Sequence, residues 1–286
     1  MNLRNPNAQI FVPSGKPVDE VLPRITHLGI GAHQDDLEIM AYHGIAQCYL
    51  QKDQRFGGIT CTDGRGSSRV GPYADYTDDQ MAAVRIEEQN KAAFTGDYAA
   101  MLQLGYPSKV VKDPADTTLR DELLALLQVI QPEVIYTHNP ADKHDTHIGV
   151  VIPVLQAIRL LPKEQRPKRV LGCEVWRGLD WMPDEDKVVL DVSAREGLFM
   201  SLVGLFDSQV AGGKRYDLAT LGRARANTTY FASHATDQAT GLWYAMDLTP
   251  LAQDDSLDIV EYVHGYIRKF CTDVKTKLSK RLGKPV

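Results

Sequence analysis

Short apolar runs alternate with longer stretches of helical periodicity from about residue 26 to residue 192. The apolar runs predict buried strands, and the longer stretches predict helices. Predicted strands cover residues 26–33, 56–62, 98–104, 132–138, 170–176 and 187–192, and predicted helices cover residues 36–51, 78–95, 117–130 and 145–161. Because strands separated by such helices are joined by crossovers, the pattern predicts a parallel sheet with helices on both faces.

The two ends of the chain follow other patterns. Residues 1–21 are polar and contain prolines, which predicts an N-terminal arm. Residues 193–286 are mostly helical, with predicted helices over 193–208, 214–231 and 256–282 and an edge strand over 242–247. With no internal repeat or break, we predict a single domain over residues 1–286. Its predicted class is α/β, with a doubly wound, mostly parallel, Rossmann-like sheet and a helical C-terminal part.

Composition and net charge limit the classes of function that this protein is expected to have. The chain is 43% hydrophobic and 24% charged, which is typical of a globular protein with one large core. Its net charge of −5 argues against general binding of nucleic-acid phosphates. Residues 268–286 carry seven Lys or Arg against one acid, Asp273. We interpret this tail as a solvated helical face, with a nucleic-acid or membrane role as the alternative.

The cysteines and the N-terminal residues indicate the cellular compartment in which the protein is expected. No C-x-x-C pair occurs, so neither a disulfide framework nor a cysteine zinc site is predicted. The N-terminal residues lack the apolar segment of a secretory signal, and no run reaches the roughly 18 apolar residues of a membrane span. We therefore expect a soluble, cytoplasmic protein that binds neither nucleic acid nor membrane. The cysteines are Cys48, Cys61, Cys173 and Cys271.

Two clusters of ionisable residues directly follow predicted strands. In open parallel sheets, ligands bind at the carboxyl ends of strands, where the winding direction reverses. In one common strand order the first and fourth predicted strands are neighbours at that point, so the two clusters would meet across one crevice. The first cluster, GAHQDDLEI, contains His33, Asp35, Asp36 and Glu38, and the second, THNPADKHDTHIGV, contains His138, Asp142, His144, Asp145 and His147.

These residue types suit zinc. Imidazoles and a carboxylate can supply three ligands and leave the fourth position for water, as in catalytic zinc sites. Zinc lowers the pKa of that water from ~16 toward ~7. Of the adjacent Asp35 and Asp36, one can bind the metal while the other acts as a base. Alone, this pair would be an ordinary helix start, but both clusters together favour a metal site.

The same residues resemble the LmbE-like, or PIG-L, family of zinc-dependent N-deacetylases. AHQDDLE is similar to the family hallmark A-H-P-D-D-x-E, with Gln34 in place of proline. HDTH, at residues 144–147, is similar to a second motif, H-x-D-H. TDGRG, RIEEQNKAA and FDSQ resemble weaker family patterns, and the second of these contains Arg85 and Glu88.

The resemblance implies an LmbE-like fold and a zinc ion bound by His33, Asp36 and His147. It implies that Asp35 is the general base and that His144 stabilises the oxyanion and helps to protonate the leaving amine.

Further assignments are less direct. The expected substrate-binding residues are Arg85, Asp63 and Asp142. Because Thr146 stands where the family has an acid, Asp142 or Asp145 would have to orient His144.

The resemblance implies a hydrolase that deacetylates an N-acetylglucosamine-type amino sugar or a similar small N-acyl compound, and that could form a homo-oligomer. A metal-dependent phosphoester hydrolase is one alternative, which the histidines disfavour because Mg²⁺ prefers oxygen ligands. A catalytically inactive sugar-binding relative is another, which the presence of Asp35 disfavours.

Overall fold

The computed structural model describes residues 3–232 and 234–285, which contain one eight-stranded sheet. Its strands are β1 (Gln9–Phe11), β2 (His27–Gly31), β3 (Phe56–Thr62), β4 (Met101–Tyr106), β5 (Val134–His138), β6 (Arg169–Cys173), β7 (Val188–Asp191) and β8 (Leu242–Asp247). Their order is β1-β4-β3-β2-β5-β6-β8-β7. The five strands from β4 to β6 in this order are mutually parallel, whereas β1, β8 and β7 pair antiparallel with their neighbours.

Helices cover both faces of the sheet. They are α1 (Val18–Val21), α2 (Asp36–Met40), α3 (Tyr42–Cys48), α4 (Asp78–Thr95), α5 (Ser108–Val111), α6 (Thr118–Ile130), α7 (Asp145–Leu160), α8 (Glu196–Gly204), α9 (Asp207–Val210), α10 (Tyr216–Tyr230), α11 (Thr249–Gln253) and α12 (Ile259–Arg281). Apolar residues of α6 and α7 pack with Leu28 and Ile30 of β2 in one core cluster. Residues of α3 and α8 pack with Phe56 and Tyr136 in a second cluster. The predicted doubly wound α/β fold is therefore confirmed.

The antiparallel strands differ from the prediction in two places. The predicted edge strand at 242–247 has the expected bounds but lies inside the sheet, between β6 and β7. Its central four residues are buried, whereas Val189 of β7 is 39% exposed at the true edge. The predicted N-terminal arm also contains β1, which pairs with β4.

Two predicted helices are each divided in the structure. The predicted helix 36–51 breaks at Ala41, whose φ of −108° ends α2 and precedes α3. The predicted helix 193–208 breaks between α8 and α9 at Phe206, which has a ψ of 59° and a fully buried ring. Burial of that ring, a tertiary contact, overrides the local helical periodicity.

The basic C-terminal stretch lies on α12 and is largely exposed. Leu278 and Leu282 of the same helix are 58% and 64% exposed, so its outer surface is partly apolar. Over residues 3–232 and 234–285, no helix combines the length and the apolar character that a bilayer crossing requires.

Two glycine substitutions test the packing of α3 on β5. A Cβ at Gly44 would lie 2.5 Å from Cε2 of the buried Tyr136 ring, so Gly44→Ala should overpack the core. We expect it to lower the free energy of unfolding by about 1–3 kcal/mol in urea denaturation. In α10, nothing lies within 4 Å of a Cβ at Gly222. Gly222→Ala should therefore raise the free energy of unfolding by about 1 kcal/mol. Equal effects of the two variants would contradict the close packing at Gly44.

Candidate metal centre

The parallel pairing of β2 with β5 brings the two ionisable clusters together. His27 pairs with Val134 and Ile30 with Thr137, so both strands end at the same edge of the sheet. Just beyond them, the backbone N–H of Ala32 donates to Nε2 of His138 at 2.8 Å. The predicted crevice between the two clusters is thus present, although they are more than a hundred residues apart in the chain.

Three side chains converge at this edge with the spacing of metal ligands. His147 Nε2 lies 3.3 Å from His33 Nδ1 and 3.4 Å from Asp36 Oδ1. Oδ2 of Asp36 lies 3.4 Å from His33 Nδ1. Two ligand atoms bound to a tetrahedral zinc at about 2.0–2.1 Å lie about 3.3 Å apart. The separations therefore fit zinc, and the three residues are the ones that the resemblance implies.

Asp142 orients His147 within this group. Nδ1 of His147 donates to Oδ2 of Asp142 at 2.9 Å, which leaves the lone pair of Nε2 directed at His33 and Asp36. Burial lowers the pKa of His147 to about 4, so this imidazole is neutral at pH 7 and can act as a ligand. A carboxylate behind a metal-binding histidine fixes its tautomer and raises its basicity. Asp142, expected to contact substrate, lies in this orienting position.

His138 belongs to a second possible ligand group, with Asp142 and His147. Its Nε2 already accepts a hydrogen bond from Ala32, and its Nδ1 is buried with no partner in the described part of the chain. Nε2 also lies 3.2 Å from Oδ2 of Asp36. Because the hydrogen bond from Ala32 already occupies Nε2 of His138, the group of His33, Asp36 and His147 is the better candidate for a metal.

The buried charges around the site are unbalanced. Four carboxyl groups with at most 7% exposure surround it, and a fifth, that of Glu38, is buried close to Asp35. The guanidinium of Arg85 is the one buried cation among them in the described ranges. Despite the opposing effect of burial, His147 and His138 hold the pKa of Asp36 well below its usual range. Uncompensated buried carboxylates are costly, and a divalent cation would offset much of this excess. The four carboxyl groups belong to Asp35, Asp36, Glu88 and Asp142.

Asp35 is held apart from the metal-binding group. Its backbone is left-handed, with φ of 93°, and its Oδ2 accepts from the guanidinium of Arg85 at 2.8 Å. Burial raises the pKa of Asp35 to about 6, against the opposing effect of Arg85. The carboxylate is therefore more basic than an ordinary aspartate, and it lines the cleft together with His33 and Asp36.

Arg85 is itself fixed by residues from distant parts of the chain. Its Nη1 donates to Oε2 of Glu88 at 3.1 Å, and Ser208 donates to the same oxygen at 2.7 Å. The aromatic ring of Phe206 packs against the guanidinium, with its centroid 5.4 Å from Cζ of Arg85. The R-x-x-E and FDSQ patterns thus form one buried network behind Asp35. Arg85, expected to bind substrate, is 1% exposed, contributes to the wall of the cleft and bonds to Asp35.

His144 stands at the start of α7, on the cleft side of His147. Its Nδ1 accepts from the backbone N–H of Thr146 at 3.3 Å, which places the proton of the neutral imidazole on Nε2. Burial and the nearby His33 lower the pKa of His144. No side-chain acid orients this ring in the described residues: Asp142 accepts from the His144 backbone N–H instead, and Asp145 is exposed.

The remaining walls enclose a cleft of about 400 Å³, within the range of small-molecule sites. The glycine-rich loop after β3 lines it through Gly64, Gly66, Ser67 and Ser68. Asp63 of that loop instead binds Arg65, with Oδ2 3.0 Å from its Nε. Lining residues that the sequence did not single out as site residues are Ser108, Lys112, Val175, Trp176, Lys214 and Tyr216.

The family described as PIG-L, GlcNAc-PI de-N-acetylase, matches residues 28–158, which include both motifs. No curated protein matches the chain.

Solved structures share the fold at low sequence identity. An N,N′-diacetylchitobiose deacetylase from Pyrococcus horikoshii is 13% identical, with a TM-score of 0.58 over 81% of this chain and 88% of that chain. The zinc-inhibited form of the teicoplanin deacetylase Orf2 is 15% identical, with a TM-score of 0.56 over 77% and 98%. GalB, the 4-carboxy-2-hydroxymuconate hydratase from Pseudomonas putida KT2440, is 15% identical, with a TM-score of 0.62 over 78% and 96%.

The orienting role of Asp142 can be tested through metal affinity. In Asp142→Asn the amide can present an N–H to Nδ1 of His147 and favour the wrong tautomer, so we expect zinc affinity to fall by about 10- to 100-fold. Asp145→Asn, an exposed change three residues away, should leave affinity unchanged. Competition with a chromophoric chelator measures both. Equal affinities of the two variants would remove Asp142 from this role.

The network around Arg85 predicts a large effect on stability. Arg85→Met leaves the carboxylates of Asp35 and Glu88 buried without their cation, and should lower the free energy of unfolding by about 3–5 kcal/mol. Arg65→Met breaks a surface pair with Asp63 and should cost at most about 1 kcal/mol. Urea denaturation compares the two variants, and a small effect at Arg85 would contradict its role as the compensating charge.

Proposed function

We propose, from the premise that residues 28–158 of this chain belong to the PIG-L family, that the protein is a zinc-dependent amide hydrolase. Its proposed substrate is an N-acetylglucosamine-type amino sugar or a similar small N-acyl compound. The observation that carries the proposal is the convergence of His33, Asp36 and His147 beside the separately held carboxylate of Asp35.

His33, Asp36 and His147 would hold the metal. When bound there, zinc supplies Lewis-acid chemistry, which polarises a carbonyl and makes a water molecule acidic enough to react at neutral pH. The donor set of two imidazoles and one carboxylate is one that catalytic zinc sites use, and its spacing fits that ion.

Asp35 would act as the general base. Its Oδ2 is bonded to Arg85, and no hydrogen bond from the described residues reaches Oδ1, which leaves that oxygen free to take a proton from water. The raised pKa brings the carboxylate nearer to the neutral pH at which a base works best. Arg85 and Glu88 fix the direction of the carboxylate and so position it.

His144 would assist at the other end of the amide. With its proton on Nε2, the ring can donate a hydrogen bond to the carbonyl oxygen as negative charge develops there. When the C–N bond breaks, the leaving nitrogen must gain a proton, which the protonated Asp35 can donate while the neutral His144 keeps its hydrogen bond to the oxygen. The products are a free amine and a carboxylic acid, and the proton accepted by Asp35 is returned.

Metal analysis of purified protein is the first test. We expect about one zinc per chain in the wild type, as in mononuclear catalytic sites, and loss of that zinc in His147→Ala. His264→Ala, on the exposed part of α12, is the matched control and should keep its zinc. A wild-type chain that takes up no zinc would overturn the proposed site.

Turnover is tested by released amine, because the fold is shared with a hydratase and substrate consumption alone would not identify the bond broken. Asp35→Asn should retain zinc and lose amine release by at least about 100-fold, as for loss of a general base. Zinc should be added at one equivalent and then titrated, because a deacetylase of this fold is known in a zinc-inhibited form. Undiminished turnover by Asp35→Asn would exclude Asp35 as the base.

A further inference from the structure

We infer that the substrate carries an anionic group, a carboxylate or phosphate, which binds beside Trp176 in an extension of the metal cleft. This inference rests on the proposed hydrolase function and specifies its substrate class. The extension, called here the Trp176 subsite, is lined by Trp176, Lys214, Arg215, Tyr216, Arg223 and Trp243, among others.

The Trp176 subsite adjoins the metal cleft. It has a volume of about 260 Å³, large enough for one further substituent of a small molecule. A substrate bound at the metal-binding residues therefore has this second cavity next to it. The two spaces share Ile39, Val175, Trp176, Lys214 and Tyr216.

The charge of the subsite is positive. Its lining includes three cationic residues and no acidic one within the described ranges. Arg215 is paired with Asp217 at 2.7 Å, but Arg223 donates only to the neutral carbonyls of Val175 and Arg177. Lys214 has no ion pair or hydrogen bond from its side chain to the described part of the chain. The cations of Lys214 and Arg223 are therefore uncompensated.

Two ammonium groups approach the same indole ring. Nζ of Lys214 lies 5.4 Å from the Trp176 ring centroid, and Nζ of Lys143 lies 5.9 Å from it. Lys143 likewise has no acidic partner among residues 3–232 and 234–285. Lys112 adds a third such cation to the lining of the metal cleft. Like charges gathered around one opening repel one another, and a bound anion removes that repulsion.

The subsite adjoins the reacting bond. The Trp176 ring is stacked against His144, with centroids 6.4 Å apart and an interplanar angle of 18°. His144 is the residue assigned to the carbonyl oxygen, so an anion beside Trp176 lies about one sugar ring from the amide. Tyr216, edge-on to Trp176 at 5.9 Å, completes an aromatic wall for the apolar face of such a ring.

Binding to the zinc-loaded Asp35→Asn protein tests the inference without turnover. The probes are N-acetylglucosamine, N-acetylglucosamine 6-phosphate and N-acetylmuramic acid, which are neutral, phosphorylated and carboxylated. By titration calorimetry we expect at least one anionic probe to bind about tenfold more tightly than the neutral sugar. The preference should weaken as salt is raised. The phosphate and carboxylate arms identify which anion the subsite takes.

Lysine variants assign the preference to the subsite. In the same background, Lys214→Gln should lower the ratio of anionic to neutral affinity from about ten to a value between about one and three, because the uncompensated ammonium is lost. Lys109→Gln, an exposed lysine of α5 outside both cleft linings, should keep the ratio. A neutral sugar that binds as tightly as both anions, or a ratio unaffected by Lys214→Gln, overturns the inference.

The two proposals fail separately. Selective binding of an anion without amine release by the wild type would leave the subsite standing and overturn the hydrolase. Amine release from neutral and anionic probes with equal kcat/KM would leave the hydrolase standing and overturn the subsite.

Discussion

Buried negative charge at the carboxyl ends of β2 and β5 constrains most of what surrounds it. His147 donates to Asp142, and imidazoles of His33, His138 and His147 all lie within 3.4 Å of the Asp36 carboxylate. Asp35 and Glu88 are likewise paired with Arg85. These contacts connect β2, α4, α7 and the segment around Ser208 at one edge of the sheet.

The parts that could be predicted from sequence are those with local signals. The apolar runs of β2, β3 and β5 and the periodicity of α4 depend on neighbouring residues, and their positions are confirmed. The two ionisable clusters were recognisable because each directly follows a strand. A common strand order places β2 next to β5, so the proximity of His33 and His147 could be predicted.

The remaining features depend on contacts that sequence spacing does not encode. β8 enters the sheet between β6 and β7 after some fifty residues of intervening chain, so its local pattern could not distinguish an interior strand from an edge. Arg85 meets Ser208, which is 123 residues away, and is consequently fixed at the wall of the cleft by contacts from a distant part of the chain. The place of Asp142 behind His147 depends on a turn geometry between β5 and α7. The single domain, cytoplasmic location and homo-oligomer stay predictions.

The left-handed backbone at Asp35 has a consequence for how this site could change over time. Aspartate, asparagine and glycine adopt that conformation most readily, whereas a longer side chain such as glutamate is strained there by about 1 kcal/mol or more. Exchange of Asp35, the proposed base, for glutamate is therefore disfavoured, although both side chains carry a carboxylate. Exchange for asparagine keeps the loop and abolishes proton transfer. A lineage with this loop is thus one substitution away from a receptor that holds its former substrate intact.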